Sequence, residues 1–219
     1  MFEIETLCVT PFQQNARVIF NPETCAGIII DPGGEADLIQ RFLNEKKIKA
    51  EAIWLTHSHL DHCGGVAELK GQLKLPLYGH KLEQQLRAMV EQVCQMYGIY
   101  EGDMKNCPEP EHYIDEGDTL FLGEDAFTVL FTPGHSPGHV CFYNEPNNVL
   151  IAGDTVFAGS IGRTDLPGGN HEQLLQSLTE KILSLPVETK LLSGHGLDTT
   201  VLNEKQTNPW LQNLSSKEI

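Results

Sequence analysis

Apolar and polar positions alternate over Phe2–Val9, at the start of the chain. Two apolar runs follow, Ala16–Phe20 and Gly27–Ile30, with the turn residues Asn21–Thr24 between them. The second run is rich in β-branched residues and ends at Asp31-Pro32-Gly33-Gly34. Alternation and short β-branched runs bounded by turn residues predict a meander of strands.

A helical period begins after this turn. The segment Glu35–Lys46 spaces its apolar residues three and four apart, which predicts a helix with one apolar face, and Ala52–Leu55 then predicts a buried strand. The same patterns predict further strands at Leu75–Tyr78, Thr119–Leu122, Ala126–Phe131, Val140–Tyr143, Val149–Ala152 and Lys190–Leu192, and further helices at Val66–Leu69, Lys81–Tyr97 and His171–Leu185.

The order of these elements predicts an α/β protein. Each of two similar halves has strands first and a helix later, and 219 residues suit one domain, here residues 1–219. Two sheets packed face to face, with helices on both outer faces, would bury the apolar runs. The strand ends would then form loops at one rim.

Composition narrows the range of partners and the cellular location. With 30 acidic and 15 basic residues the formal charge is −15, which repels phosphate backbones, so we expect no nucleic-acid partner. The N-terminus lacks the pattern of a signal peptide and no run approaches a membrane span, so a cytoplasmic protein without membrane contact is expected. The six cysteines form no Cys-x-x-Cys pair and are predicted to be free thiols in or near the core, with Cys63 as a buried filler.

The densest chemical signal lies directly after the predicted strand Ala52–Leu55. His57, His59, Asp61 and His62 fall within six positions there. Imidazole and carboxylate are the ligands of zinc or iron sites that keep an open coordination position, whereas closed structural zinc sites usually contain thiolates. An extended backbone directs His57 and His59 to the same side, so this one loop can serve two adjacent ions.

Three further candidate ligands also follow apolar strands, and each has a neighbouring glycine: His135, Asp154 and His195. Glycine permits close approach of backbone or metal, and the strand holds the ligand on a rigid element. The remaining histidines are expected to play other parts. His80, His112 and His171 are predicted to lie on the surface, and His139 is predicted to begin a strand, where it can support a ligand from behind.

The run His57-x-His59-x-Asp61-His62, followed in order by His135, Asp154 and His195, resembles the metallo-β-lactamase superfamily over nearly the whole chain. This resemblance implies a four-layer αββα sandwich and two divalent metal ions, with zinc expected first and iron or manganese as alternatives. It assigns one ion to His57, His59 and His135, the other to Asp61, His62 and His195, and a bridging role to Asp154. The β-lactamases of this superfamily lack a bridging aspartate, so Asp154 favours the glyoxalase II branch.

Glyoxalase II is a thioester hydrolase, and a hydroxide between two cations suits that reaction. The resemblance implies S-D-lactoylglutathione as the substrate, hence methylglyoxal detoxification, with Asp61 also orienting the hydroxide. Arg163, in a Gly-Arg-Thr-Asp loop, is the candidate clamp for a substrate carboxylate, and a structural Arg163–Asp165 pair is the alternative. Only 24 residues follow His195, so the C-terminal helical domain of longer glyoxalase II enzymes is expected to be absent.

A second enzyme of the same superfamily stays open. Persulfide dioxygenase is a mononuclear iron enzyme that shares the Gly-Arg-Thr-Asp loop and the short tail, and its iron would use His57, His135 and Asp154. Metal stoichiometry and oxygen consumption distinguish the two functions.

Overall fold

The structure is a computed structural model that describes residues 1–99 and 104–212. The described residues form two compact units. The first comprises those of Met1–Ile114 and Phe121–Ala126, and the second those of Asp115–Leu120 and Phe127–Ile219. No helix within the described ranges is long and apolar enough to cross a membrane.

A mixed sheet of strands β1 to β6, joined in sequence order, forms the framework of the first unit. Strands β1, β2 and β3 pair antiparallel, whereas β3, β4, β5 and β6 pair parallel. Their bounds are Glu3–Val9, Gln14–Phe20, Ala26–Ile30, Lys49–Trp54, Leu77–Gly79 and His112–Tyr113. The predicted meander and the predicted strand after the first helix are confirmed, and the structure adds that this strand, β4, pairs parallel with β3.

Helices α1 to α5 belong to the first unit, with bounds Ala36–Lys46, Leu60–Cys63, Val66–Leu73, Gln84–Ala88 and Val90–Tyr97. Helix α1 places Ile39 and Leu43 in the core, and Leu38 and Phe42 pack against that core. Burial of such a side chain contributes about 1.5–3 kcal/mol. The predicted apolar face of α1 is confirmed.

The predicted continuous helix Lys81–Tyr97 is wrong. A 3₁₀ turn at Lys81–Glu83 is followed by α4 and α5, with a break at Met89. In an unbroken helix the carbonyl of Arg87 would accept from the amide of Glu91. Instead it accepts from the amide of Cys107 at 2.9 Å, and the Glu91 amide donates to Oδ1 of Asn106 at 3.0 Å. Hydrogen bonds to a distant segment therefore interrupt the helix.

A second mixed sheet has the strand order β14-β13-β10-β9-β8-β7. Strands β10 and β13 pair parallel, whereas β8 with β9, β9 with β10, and β13 with β14 pair antiparallel. The bounds of its strands are Thr119–Leu122 for β7, Asp125–Phe131 for β8, Val140–Asn144 for β9, Val149–Gly153 for β10, Lys190–Ser193 for β13 and Thr199–Thr200 for β14. A separate hairpin pairs β11, Val156–Phe157, with β12, Ser160–Ile161.

The second unit carries two α-helices within its described residues, α6 at His171–Ser177 and α7 at Val201–Thr207. The predicted helix His171–Leu185 begins as α6, but a wider π-helical turn replaces the α-helix at Leu178–Ile182. Leu174, Leu178 and Ile182 are buried in the core of this unit, so the predicted apolar face continues from α6 through the π-helical turn.

The six cysteines all fall within the described residues and are free thiols, as predicted. Cys63, Cys94, Cys107 and Cys141 are buried, whereas Cys8 is exposed, so its predicted place in or near the core is wrong. Cys63 is confirmed as a buried thiol. Burial is the first cause that raises the pKa of Cys63, and a hydrogen bond with Cys107 adds to it.

Candidate metal centre

In the first unit, four of the predicted ligands lie on the loop that follows β4 and on the single turn of α2. His57 and His62 are buried, as is Asp61. The ring of His57 lies 4.8 Å from that of His59 and 4.1 Å from that of His62, measured between centroids. The loop therefore gathers its three imidazoles into one cluster.

Asp31 and Thr56 orient the imidazole of His57. The amide of Thr56 donates to Oδ1 of Asp31 at 2.7 Å, and the Thr56 hydroxyl donates to Oδ2 at 2.6 Å. Because that hydroxyl proton is committed to Asp31, the Thr56 oxygen accepts from Nδ1–H of His57 at 3.0 Å. The proton therefore sits on Nδ1 of His57, and Nε2 carries the lone pair that a metal needs.

His62 is oriented by the same carboxylate. Its Nδ1 lies 3.0 Å from Oδ2 of Asp31, and both side chains are buried. A carboxylate that accepts from Nδ1–H of a ligand histidine fixes the tautomer and makes the other nitrogen more basic. Asp31, His57 and His62 bring their ligand atoms within 4.8 Å of one another. Because Thr56 and His62 donate to its oxygens, the Asp31 carboxylate orients both imidazoles.

Glycine at position 33 lets the Asp31 turn pack on α2. A Cβ atom there would overlap the carbonyl oxygen of Asp61, which is backbone and cannot rotate away. The turn that carries Asp31 and the helix that carries Asp61 are thus in direct contact, which requires a residue without a side chain.

The second unit brings its three predicted ligands together around the Asp154 carboxylate. Oδ2 of Asp154 lies 3.5 Å from Nε2 of His135 and 3.5 Å from Nε2 of His195. Both distances are longer than a usual hydrogen bond of about 2.7–3.2 Å. Two ligands about 2.0–2.1 Å from one tetrahedral ion are about 3.3 Å apart. The spacing therefore matches ligands that converge on cations.

The carbonyl oxygen of Arg163 orients His135, accepting from its Nδ1 at 2.8 Å. This leaves Nε2 of His135, the atom that faces Asp154, as the lone-pair nitrogen. Gly162 makes the approach possible, because a Cβ there would overlap the carbonyl oxygen of Asp154 and lie 3.2 Å from Cβ of His135. The Gly-Arg-Thr-Asp loop therefore supports a ligand through its backbone.

His139 supports Asp154 and is not itself placed as a ligand. Its Nε2 accepts from the amide of Asp154 at 3.0 Å, and its Nδ1 lies 2.9 Å from the Thr132 hydroxyl. Both ring nitrogens are therefore engaged, in line with the predicted supporting position.

The surface prediction fails for one of the other histidines. His80 is 3% exposed. Its Nδ1 accepts from the Leu82 amide and its carbonyl accepts from the buried Arg87, and these bonds compensate for the burial of its polar groups. His112 and His171 are exposed, as predicted.

The guanidinium of Arg163 forms a two-point pair with Asp165. Nε and Nη2 each donate to a different carboxylate oxygen at 2.8 Å. Both side chains are exposed, at 60% and 68%. The hydrogen bonds from Arg163 are the first cause that lowers the pKa of Asp165 to about 2. The substrate-clamp role of Arg163 stays a prediction, and any substrate carboxylate would share the guanidinium with Asp165.

Sequence reasoning missed supporting residues whose partners are distant in the chain. Asp31 and Thr56 were not selected, nor was the buried Glu83, whose carboxylate accepts from the Ser58 amide at 2.7 Å. Asp31 carried a usable signal, because it ends a β-branched run before Pro32-Gly33-Gly34, the kind of strand end at which the ligands themselves occur.

The donor set fits divalent metal ions. Imidazole rings whose Nδ1 is held by a hydrogen bond leave Nε2 as the lone-pair nitrogen, and carboxylates complete the set without thiolates. Such mixed nitrogen and oxygen donors are typical of zinc, iron or manganese sites with catalytic roles.

Two mixed sheets with helices, and histidines and aspartates clustered at strand ends, define a metal-binding α/β protein. The chain belongs to the metallo-β-lactamase superfamily, whose family model matches residues 9–195.

Two relatives in sequence match almost end to end. A probable metallo-hydrolase, YqgX of Bacillus subtilis (strain 168), is 41% identical over 94% of this chain and 96% of its own length. The hydroxyacylglutathione hydrolase GloC of Haemophilus influenzae is 36% identical over 97% of this chain and 99% of its own length. The predicted resemblance is thus confirmed.

Two solved structures show the same fold. The B3 metallo-β-lactamase BLEG-1 has a TM-score of 0.87 and 36% identity, covering 95% of this chain and 99% of its own. TTHA1623 in a di-iron-bound form has a TM-score of 0.86 and 38% identity, covering 94% and 100%. The predicted α/β class and metallo-β-lactamase fold are confirmed.

Proposed function

We propose that residues 1–219 act as one metallo-β-lactamase domain with a binuclear metal centre. One ion is assigned to His57, His59 and His135, and the other to Asp61, His62 and His195, with Asp154 bridging. The observation that carries the proposal is the Asp154 carboxylate, one oxygen of which lies 3.5 Å from the lone-pair nitrogen of His135 and 3.5 Å from Nε2 of His195.

The proposed reaction is hydrolysis of a thioester. When bound, two divalent ions would supply a hydroxide at neutral pH and polarise the thioester carbonyl. The chain's own residues prepare this chemistry. Asp31, Thr56 and the Arg163 carbonyl keep His57, His62 and His135 in the Nδ1–H tautomer, which leaves Nε2 as the lone-pair nitrogen. Asp61 is assigned the orientation of the attacking oxygen.

The proposed substrate is S-D-lactoylglutathione, cleaved to D-lactate and glutathione. Support comes from the 36% identity to the hydroxyacylglutathione hydrolase GloC over nearly all of both chains. Arg163 is proposed to bind a glutathione carboxylate, since a guanidinium takes a carboxylate at two points, as it does with Asp165. Methylglyoxal detoxification in the cytoplasm is the corresponding cellular role.

Zinc is the first proposal for the metal, with iron and manganese as alternatives. All three accept mixed histidine and carboxylate ligands. The di-iron form of TTHA1623, at 38% identity, makes iron the alternative to test first.

Metal analysis combined with two parallel assays tests this function. The purified protein is expected to carry two ions per chain, to hydrolyse S-D-lactoylglutathione, and to consume no oxygen with glutathione persulfide. Asp154→Asn serves as the comparison, because it keeps the side-chain shape and removes the bridging charge. One iron per chain together with oxygen consumption would replace the hydrolase with the mononuclear persulfide dioxygenase.

A further inference from the structure

Glu204 is a buried carboxylate on α7, outside the proposed ligand set. Its Oε2 accepts from the Gly159 amide at 2.9 Å and from Nδ2 of Asn208 at 2.8 Å. Its Oε1 accepts from the Thr199 hydroxyl at 2.6 Å and from Nδ2 of Asn203 at 2.9 Å. Four donated hydrogen bonds compensate for the removal of this charge from water.

Asn208, one helical turn further on, makes a second connection to the same place. Its Nδ2 also donates to the carbonyl oxygen of Ser160 at 2.9 Å, and its side chain is buried. Ala158 and Gly159 form the turn between β11 and β12, with Gly159 in the left-handed region at φ 76°, and Ser160 is the first residue of β12. Helix α7 thus holds this hairpin turn at one amide and one carbonyl.

The hairpin starts and ends against proposed metal ligands. It follows directly after Asp154, and the Gly162 amide returns to the Thr155 carbonyl at 3.1 Å, with Gly162 packed on the backbone of Asp154. The ring of Phe157 lies edge-on to His195, with 6.1 Å between centroids. The next residue after Gly162 is Arg163, whose carbonyl orients His135.

We propose that Glu204, acting with Asn208, is a positioning residue for the metal ligands of the second unit. Glu204 holds Gly159 in the turn and Asn208 holds Ser160 at the start of β12, and together they fix a loop that touches His135, Asp154 and His195. Ligands need a placement within about 0.5 Å. The bond from the Ser193 hydroxyl to the Val156 carbonyl holds the base of this hairpin, and the bonds to Glu204 and Asn208 hold its tip. The inference rests on the proposed ligand roles of those three residues.

Two substitutions at this position separate charge from hydrogen bonding. Glu204→Ala removes every acceptor for the Gly159 amide. Glu204→Gln can keep its oxygen toward Gly159 and Asn208. On the other side the Thr199 hydroxyl can rotate to accept from the new amide, and the exposed Asn203 side chain can turn its amide to water. Glu204→Gln is therefore the conservative variant expected to rescue the function of the loop.

Asn208→Asp tests the same connection from its other end. It replaces the Nδ2 donor of Asn208 with a carboxylate oxygen, which then lies against the Ser160 carbonyl and against the Glu204 carboxylate. The repulsion should release the turn without leaving a cavity. The matched control is Asn144→Ala, which removes a buried amide of the same unit that bonds Asn147 in the turn between β9 and β10.

Cobalt binding to the full chain provides a readout that does not depend on turnover. Metal-free protein is titrated with Co²⁺, and the visible absorption bands and dissociation constant are recorded, with circular dichroism to verify folding. Loss of an outer partner of metal ligands typically costs 10–100-fold in affinity, so Glu204→Ala and Asn208→Asp are expected to weaken cobalt binding about 10-fold and to alter the bands. Glu204→Gln should lie close to wild type, and Asn144→Ala should match it.

Unchanged affinity and spectra in folded Glu204→Ala would overturn the inference, as would an equal loss in Asn144→Ala. If Glu204→Ala does not fold, Asn208→Asp decides in the same way. A wild-type chain that binds no cobalt would instead overturn the proposed metal centre itself, so the two failures are distinguishable.

Discussion

The carboxylate of Asp31 accepts a hydrogen bond from Nδ1 of His62 at 3.0 Å, although the two residues are 31 positions apart. The same carboxylate accepts hydrogen bonds from both the amide and the hydroxyl of Thr56. One buried acidic side chain at the end of β3 therefore determines which nitrogen of His62 faces the proposed metal centre.

Asp31→Asn is expected to weaken metal binding about 10–100-fold, the range for loss of an outer partner of a ligand histidine. The amide can still accept one hydrogen bond, but it loses the negative charge that favours Nδ1–H. Zinc dissociation constants from chelator competition measure the effect. Glu68→Gln is the control, at a half-buried first-turn residue of α3 outside the ligand loop. Equal zinc affinity in Asp31→Asn and wild type would remove Asp31 from the metal centre.

His59→Ala is expected to lower thioester hydrolysis more than about 100-fold, beyond the effect of losing an outer partner. Because His59 lies on a loop and not in either core, the melting temperature of the metal-free protein should change by less than about 2 °C. Steady-state kinetics and calorimetry are the two measurements. Turnover retained at the wild-type level would contradict the binuclear assignment.

Arg163→Ala is expected to raise KM for a glutathione thioester more than it lowers kcat, because a carboxylate clamp binds substrate and transition state alike. Asp165→Ala separates the two roles of this arginine. It frees the guanidinium from its two-point pair, so KM should fall or stay unchanged if Arg163 is a clamp. Matching increases of KM in both variants would indicate that the pair is only structural.

The pKa of the Asp165 carboxyl is expected to be about 2 in the wild type and closer to its usual value of 3.8 in Arg163→Ala. A depressed folded pKa means that the pair stabilises the loop above the unfolded value and that this contribution is lost as pH falls toward about 2. Carbon-detected NMR of the carboxyl measures the midpoint. A midpoint near 3.8 in the wild type would show that the pair does not persist in solution.

A thiol reagent at mild alkaline pH is expected to modify Cys8 and spare Cys63 in the folded protein. Cys8 is exposed, whereas burial raises the pKa of Cys63 and keeps the reactive thiolate scarce. Peptide mass mapping after a short exposure identifies the modified residues, and the unfolded chain, in which all six react, is the control. Rapid modification of Cys63 would contradict its place in the core.

Local patterns in the sequence determined the strands of three or more residues, the apolar face of α1 and the candidate ligands, because period, turn residues and ligand spacing depend on near neighbours. The two-residue strands β6, β11, β12 and β14 are too short to show such a pattern. The His57–His62 run can be recognised as a set of candidate ligands from the sequence, because its members lie close together in one loop.

Tertiary structure alone decided the rest. The helix break at Met89 depends on Cys107 and Asn106, the burial of His80 depends on Arg87, and the tie at Gly159 depends on Glu204, 45 residues away. Each is a hydrogen bond whose partner leaves no mark on the local pattern. Folding brings these groups together, and their burial then makes the pairing obligatory, because an unpaired polar group inside the protein is costly.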